Sequence, residues 1–314
     1  MTTRYDAIII GAGIIGSCMA FEMAKKGWKT LNVDRLPAAG YGSTSFSCAI
    51  IRTHYSTLDG TALAYENYFH WLDWAGYLGA PDELGHAEFR HSGCLVMKTP
   101  KNGGLKHMIE HMKVLDIPWQ DWSPEDILNK LPFMDLANYS PPKLPTDPAF
   151  AEPTGGSIEG GIFFPCAGYM NDPQLSTHNA QRAAEAHGAE FRFNADVTAI
   201  RQDKGRVQGI TLADGSEIDA PVVVNVAGPH SSKINEMAGV ADKMALTTRA
   251  LREEVAYIPG PAGFDIEKDG LITSDSDVGS YSRPEVGNRI LVGSENPECD
   301  LEEWVDADNY STDP

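Results

Sequence analysis

Three glycines at the spacing Gly11-x-Gly13-x-x-Gly16 carry the clearest chemical signal in this 314-residue chain. Gly11 permits a tight turn out of a preceding strand. Gly13 leaves the backbone open to a pyrophosphate, and Gly16 lets a following helix pack close to a sheet. The N-terminus of that helix offers free N–H groups and the positive end of a helix dipole to phosphates. Asp34 stands at the end of the next apolar run, at the spacing needed to accept hydrogen bonds from ribose hydroxyls. Its charge argues against a 2′-phosphate ligand. The glycine spacing alone is a weak signal. With a strand before it, a helix after it and the acid beyond, it predicts a dinucleotide site.

The elements that must position these residues are legible around them. Residues 5–10 form a short β-branched run, read as a buried parallel strand. Residues 14–26 predict a helix closed by Lys25, Lys26 and Gly27, and residues 30–33 a second strand, so the unit is βαβ. Residues 38–47 are a Gly/Ser-rich loop, and residues 61–78 carry aromatics at helical spacing that predict one packed helix. A strand is expected over residues 91–98 and a helix over 104–115. Ser123-Pro124-Glu125-Asp126 announces another helix, and residues 136–160 read as a long connection. Asp172-Pro173 caps a helix that runs to His187, and turns are expected at Asp203-Lys204-Gly205 and Asp214-Gly215. Residues 222–226 are another buried strand, and the chain after residue 245 is strand-like and turn-rich before an acidic, strand-poor tail.

Asp34-Arg35 followed by Gly40-Tyr41-Gly42-Ser43-Thr44-Ser45 resembles the D-amino-acid oxidase superfamily of FAD enzymes. So do Asn225-Val226-Ala227-Gly228-Pro229 and Gly168-Tyr169-Met170-Asn171-Asp172-Pro173, and the motifs fall in the family's order over nearly the whole chain. Ile50-Ile51-Arg52-Thr53-His54-Tyr55 is most similar to the sarcosine oxidases, especially the beta subunit of the heterotetrameric form. The resemblance implies FAD as cofactor, with Gly11, Gly13, Ile14, Ile15, Gly16, Asp34 and Arg35 as contacts in the first βαβ unit. It adds Gly42, Ser43, Thr44 and Ser47 from the Gly/Ser loop, and Val197, Ala227 and Gly228 from later strands. It implies that Arg52 holds a substrate carboxylate, a role for which the guanidinium fork is well matched. A structural ion pair or a flavin contact is the alternative for Arg52. Tyr281 resembles a family tyrosine that lines the substrate pocket, and His54 and Tyr55 flank the anchor, with core or loop roles as the alternative.

The sequence departs from the family in three places. Related dimethylglycine dehydrogenases attach FAD through a histidine in the Gly/Ser loop, where this chain has Phe46, so no histidyl bond is expected from that loop. Leu291 stands where some sarcosine oxidases have a lysine that assists dioxygen, which leaves oxidase and dehydrogenase equally open. The family pattern continues past Pro314, so a C-terminal FAD segment is expected to be missing from a truncated or split chain. Outside the family pattern, His107-Met108-Ile109-Glu110-His111 matches the inverted zinc-protease motif H-x-x-E-H. No downstream acid context accompanies it, so a solvated helix face is expected and no metal. Cys48 lies close to the Gly/Ser loop and is read as a small buried hydrophobe.

Forty-four acidic against 25 basic residues give a net charge of -19, which disfavours nucleic acids and anionic membranes as partners. Five scattered cysteines without a C-x-x-C pair suit a reducing compartment, and with no signal-peptide layout the expectation is cytoplasmic. The expected fold is α/β. A Rossmann-type FAD-binding domain from residues 1–88 and 161–232 is interleaved with an antiparallel-sheet substrate domain from 89–160 and 233–314. The expected activity is FAD-dependent oxidation of the C–N bond of a small secondary or tertiary amino acid, with hydride passing to flavin N5. Oxygen or an electron carrier is the expected acceptor, and the resemblance allows a partner subunit. Three alternatives stand beside it: oxidation of a 2-hydroxy acid, a non-catalytic flavin-binding subunit or fragment, and an NAD-dependent dehydrogenase. The last leaves the Gly/Ser loop and Asn225–Pro229 without an account.

Overall fold

Four apolar residues in a row, Ala-Ile-Ile-Ile, make strand β1 (Ala7–Ile10), and all four are buried, as a parallel strand covered on both faces requires. The computed structural model describes residues 4–309. Helix α1 (Ile14–Lys25) follows β1, and strand β2 (Thr30–Val33) follows the helix. β1 pairs in parallel with β2 and, on its other side, with Val223–Asn225. Glu190–Arg192 extends the sheet beyond β2, again in parallel.

Each face of this four-stranded sheet is buried by a different layer. On one face α1 and the helix Pro173–Ala186 pack through Ala20 and Ala24 against Ala180, Ala183 and Ala184. Such small side chains let two helix backbones approach closely while Ile9 and Phe21 fill the space around them. On the other face Ile8, Ile10, Leu31 and Val33 meet Val197, Ile200, Ile210 and Leu212 of a three-stranded antiparallel sheet. Inside β2 the fully buried Asn32 donates from Nδ2 to the Gly16 carbonyl at 3.1 Å, tying the second strand to the glycine turn.

A seven-stranded sheet forms the second layer system. Its order is Val255–Pro259, Arg289–Ser294, Ser280–Glu285, Ile272–Asp275, Cys94–Met97, Gly161–Phe164 and Gln120–Trp122. Alternation sends Cys94, Val96, Ile162, Phe164 and Ile272 to one face and Leu95 and Met97 to the other, against Ile127 and Leu131. The sheet is not purely antiparallel: Ile272–Asp275 lies parallel to Cys94–Met97. These strands come from separate passages of the chain, so no hairpin dictates their relative direction.

The helix expected over residues 61–78 is two helices, Leu58–Leu72 and Trp74–Leu78. Asp73 makes the break, because its side chain accepts from the Gly76 N–H at 3.1 Å and caps the second piece. The 136–160 connection holds no helix or strand, only an isolated bridge between Ala137 and Ser157. The acidic tail carries one short strand, Trp304–Val305, paired with Ala250–Leu251. No described helix is long and apolar enough to cross a membrane.

Candidate functional site

At the C-terminal ends of β1 and β2, where ligands enter open α/β sheets, a cavity of about 470 Å³ opens beside the glycine turn. Of the contacts expected in the first βαβ unit, it is lined by Gly11, Gly13, Ile14, Ile15, Asp34 and Arg35. Gly42, Ser43 and Thr44 approach from the Gly/Ser loop, and Val197, Ala227 and Gly228 from the later strands. Gly16 and Ser47 do not line it. Gly16 lies behind the turn, where a Cβ would run into the Gly11 carbonyl oxygen. Ser47 is exposed, and its Oγ accepts the Ala49 N–H at 3.2 Å instead.

The three glycines do different work. Gly11 sits at φ +114, and a Cβ there would strike the Val226 carbonyl. Gly13 has an ordinary extended backbone, φ −72 and ψ −177. A Cβ at Gly13 would meet only Thr44 Oγ1, at 3.0 Å, so this glycine keeps clear the space of the cavity and not the fold. The first turn of α1 leaves N–H groups without helical partners. Thr44 Oγ1 accepts from Ile14 N at 3.2 Å, while the Ile15 and Gly16 N–H groups find no acceptor among the described residues. Asp34 accepts from Ala12 N at 2.7 Å through one oxygen and from Leu36 N at 2.9 Å through the other. The carboxylate is thereby fixed, with lone pairs left for hydroxyl donors. Donor N–H groups, a cleared backbone and a fixed acid fit the pyrophosphate and ribose of a dinucleotide.

A cluster of basic side chains stands on the rim of the same cavity. Arg35 Nη2 lies 2.6 Å from Asp308 Oδ1, His230 Nε2 2.8 Å from the same oxygen, and Lys233 Nζ 2.9 Å from Asp308 Oδ2. Lys233 also reaches Asp306 at 3.0 Å. These hydrogen bonds, from Lys233 first, hold the Asp308 carboxyl well below the usual carboxylate range. Sequence reasoning singled out Arg35 but not His230, Lys233 or Asp308. The local signal was a histidine at the end of the Gly228–His230 turn and a lysine in the first turn of Ser231–Met237.

Arg52, His54 and Tyr281 do not line this cavity; they gather over one face of the seven-stranded sheet. Register aligns Val96, Ser274, Tyr281 and Gly293 across four strands. The Tyr281 ring lies across Gly293, where a Cβ would collide with it. Burial, together with the Cys48 thiol at its hydroxyl, pushes the Tyr281 phenol well up. Arg283, almost fully buried on the same face, donates from Nε to the Cys48 carbonyl at 2.6 Å and pins the chain there. Cys48 therefore anchors a loop rather than filling a core.

From Cys48 the chain crosses the sheet face. Thr53 Oγ1 donates to the Cys166 carbonyl at 3.0 Å. The His54 ring stacks on Phe164 with centroids 4.1 Å apart. His54 is 2% exposed, and its Nδ1 has no partner among the described residues. Burial, and after it the neighbouring Arg52 charge, pushes its pKa down to about 3, so the ring is neutral at neutral pH. Arg52 is exposed, lies over the Tyr55 ring at 5.0 Å and forms no ion pair with a described residue. Its charge is felt by His54, by Cys94 and by Glu295.

The H-x-x-E-H residues diverge. His107 Nδ1 pairs with Glu110 at 3.3 Å, and His111 Nδ1 lies 3.2 Å from the Tyr55 carbonyl. The described residues with ligand atoms close enough to share an ion are Asp82, Glu83 and His178, far from this motif in sequence. There the Glu83 carboxylate is already held by Arg182.

The family model for FAD dependent oxidoreductases matches residues 6–313. The chain belongs to that family. Sarcosine oxidase subunit beta of Rhodobacter capsulatus is 26% identical over 294 residues, covering 92% of this chain and 64% of that protein. The chain thus spans about two thirds of the length of this relative. The crystal structure of glycine oxidase from Geobacillus kaustophilus superposes with a TM-score of 0.72 at 19% identity, over 96% of this chain and 72% of that one. L-proline dehydrogenase from P. horikoshii gives the same TM-score over 96% of this chain and 73% of its own, also at 19% identity. The mixed parallel and antiparallel architecture is therefore that of known FAD-dependent oxidases and dehydrogenases.

In an FAD-dependent oxidoreductase the rim cluster has a consequence for cofactor uptake. A pyrophosphate brings two negative charges toward a cavity that already holds the Asp308 carboxylate. Asp308→Asn is expected to tighten FAD uptake by about threefold to tenfold, the scale of a partly screened charge pair, as read by fluorescence quenching on titration. Weaker uptake would mean that Asp308 instead holds Arg35, His230 and Lys233 in place for the cofactor.

Proposed function

We propose that this chain binds FAD in the Gly11–Asp34 cleft and oxidises the C–N bond of a small secondary or tertiary amino acid, of which sarcosine is the simplest. In this reading residues 1–88 and 161–232 supply most of the FAD-binding part and residues 89–160 and 233–314 most of the substrate part, with Gly161–Phe164 in the seven-stranded sheet and Lys233 and Asp308 on the cavity rim as the exceptions. The observation that carries it is the Arg52 guanidinium, which pairs with no carboxylate among the described residues and directly follows the strand Ile50–Ile51 that leads on from the Gly/Ser loop of the dinucleotide cavity.

The division of labour follows from the residues. Gly13 and the N–H group of Ile15 would receive the pyrophosphate and Asp34 the ribose, while Thr44 closes the turn. Arg52 fixes the substrate carboxylate by two parallel hydrogen bonds. His54, neutral and stacked on Phe164, and Tyr281, held across Gly293, form the walls that exclude water. Bound FAD supplies the redox chemistry by accepting a hydride at N5. The substrate loses that hydride from the carbon beside nitrogen and a proton from nitrogen, and a C=N bond forms. Water then adds to the C=N bond and splits the product into an amine and a carbonyl compound. The two electrons leave to dioxygen or to an electron carrier, and a partner subunit is one source of such a carrier.

The test is the visible spectrum of the purified protein with FAD, followed by anaerobic addition of sarcosine or 2-hydroxyglutarate. Flavin bands that bleach with sarcosine and persist with the hydroxy acid are the expected result. Bleaching by the hydroxy acid alone would overturn the substrate class. Bands that persist with both would leave a flavin-binding unit that needs further chain or a partner for turnover.

A further inference from the structure

We infer that Glu295 is the second substrate-reading group of this site, receiving the N–H of the substrate's ammonium while Arg52 holds its carboxylate, so that the site selects amino acids over 2-hydroxy acids. The inference rests on the amino-acid reading above and gives it a residue that the glycine motif and the Arg52 loop do not contain.

Glu295 follows directly on the strand Arg289–Ser294. It lies two residues beyond Gly293, so alternation turns it to the face that carries Tyr281, Ser274 and Cys94. Its backbone N–H donates to Gly279 O at 2.8 Å, which keeps the chain extended through this position. Ser274, on the same face two strands away, donates from Oγ to Glu295 Oε1 at 2.6 Å. The side chain therefore bends back across the sheet toward Ser274. One oxygen is occupied by Ser274, and Oε2 has no hydrogen-bond partner among the described residues.

The Cys48–His54 segment is held over this same face, by Arg283 on the Cys48 carbonyl and by the stack of His54 on Phe164, so Arg52 stands above the face that carries Glu295, yet no ion pair joins the two. If the two existed only to stabilise the fold, direct contact would be the expected geometry. Two opposite charges held apart on one sheet face are instead complementary to a zwitterion, whose own charges are separated by one carbon. Burial, with Asp275 nearby, also holds the Glu295 carboxyl above its ordinary range. That group is under-solvated and gains from a cationic donor. A 2-hydroxy acid satisfies Arg52 equally well but offers Glu295 only a neutral hydroxyl, a weaker partner than an ammonium.

The test uses the full chain with FAD, reduced beforehand under anaerobic conditions so that sarcosine is not turned over, and a pair of ligands of the same shape. Sarcosine and methoxyacetate share the carboxylate and the methyl group, and differ in an ammonium against an ether oxygen. By titration calorimetry the wild-type protein is expected to prefer sarcosine by at least about tenfold, the scale of one charge-assisted hydrogen bond. Glu295→Gln is expected to weaken sarcosine by about the same factor and to leave methoxyacetate unchanged. Ser274→Ala, which keeps the charge but frees its orientation, is expected to shift sarcosine alone and by less. It serves also if the glutamine variant does not fold. Equal weakening of both ligands, or an unchanged preference, would overturn the inference and make Glu295 a structural residue. A wild-type protein that binds methoxyacetate as tightly as sarcosine would overturn it while sparing the carboxylate role of Arg52. Binding of neither ligand would remove the amino-acid reading itself.

Discussion

Replacing Gly13 by aspartate is expected to leave the fold intact and to abolish retention of FAD. Gly13 is the N-cap of α1 with an extended backbone, a conformation open to any residue. Its Cβ direction points into the cavity, with Thr44 Oγ1 at 3.0 Å as its nearest neighbour. Aspartate is a better N-cap than glycine by a few tenths of a kcal/mol, so the melting temperature of the FAD-free protein is expected to be unchanged or slightly higher. The same carboxylate lies where the pyrophosphate must approach the backbone. Two like charges in that cleft, away from bulk water, are expected to weaken FAD by more than about 100-fold, or ~2.7 kcal/mol. Gly11 and Gly16 provide the contrast. A Cβ at either position strikes a backbone carbonyl, of Val226 or of Gly11 respectively. Alanine at Gly11 or Gly16 is therefore expected to lower the melting temperature even without cofactor. Thermal scans of the three variants with and without FAD separate these outcomes. Undiminished FAD binding by Gly13→Asp would remove the cleft from the cofactor.

The parts of this architecture that were legible in the sequence are those determined locally. β1, the glycine turn, α1 and β2 are consecutive, and every step has a short-range cause: a buried apolar run, glycines at fixed spacing, a cationic last turn. The capping box at Ser123 and the Asp172 cap likewise announce their helices from four adjacent residues. Asp73 was the local miss. Within an unbroken helical pattern of aromatics, its side chain competes for the Gly76 N–H and splits the helix.

What the sequence did not disclose depends on register and on chain passages that meet late. Nothing in the residues around Cys94 or Ile272 says that their strands run side by side and parallel. Glu295 sits in a Gly-Ser-Glu-Asn stretch without a local signal, and only the alignment of Ser274, Tyr281 and Gly293 turns its carboxylate to the face that carries Tyr281. Asp308 joins Arg35, His230 and Lys233 from the opposite end of the chain. The glycine motif could thus be found by reading along the chain, whereas the charges that tune the site required the fold.

Arg52→Ala is expected to raise the KM for an amino-acid substrate by about 100-fold, or ~2.7 kcal/mol, the scale of a bidentate charge-assisted pair. Arg52→Lys is expected to recover only part of this, because an ammonium presents a point charge where the carboxylate calls for a planar fork. The fold has little at stake. The side chain is exposed, joins no ion pair with a described residue and makes one ring contact, with Tyr55, that contributes about 0.5–1 kcal/mol. An unchanged melting temperature with a raised KM is therefore the signature of a binding group, and an unchanged KM would sink the assignment. The charge also acts on its neighbours. With Arg52 gone, Glu295 loses the nearby cation that favours its ionised form, which works against an ammonium partner. The loss for sarcosine is accordingly expected to exceed the loss for methoxyacetate, although the role proposed for Arg52 concerns only the carboxylate that the two ligands share.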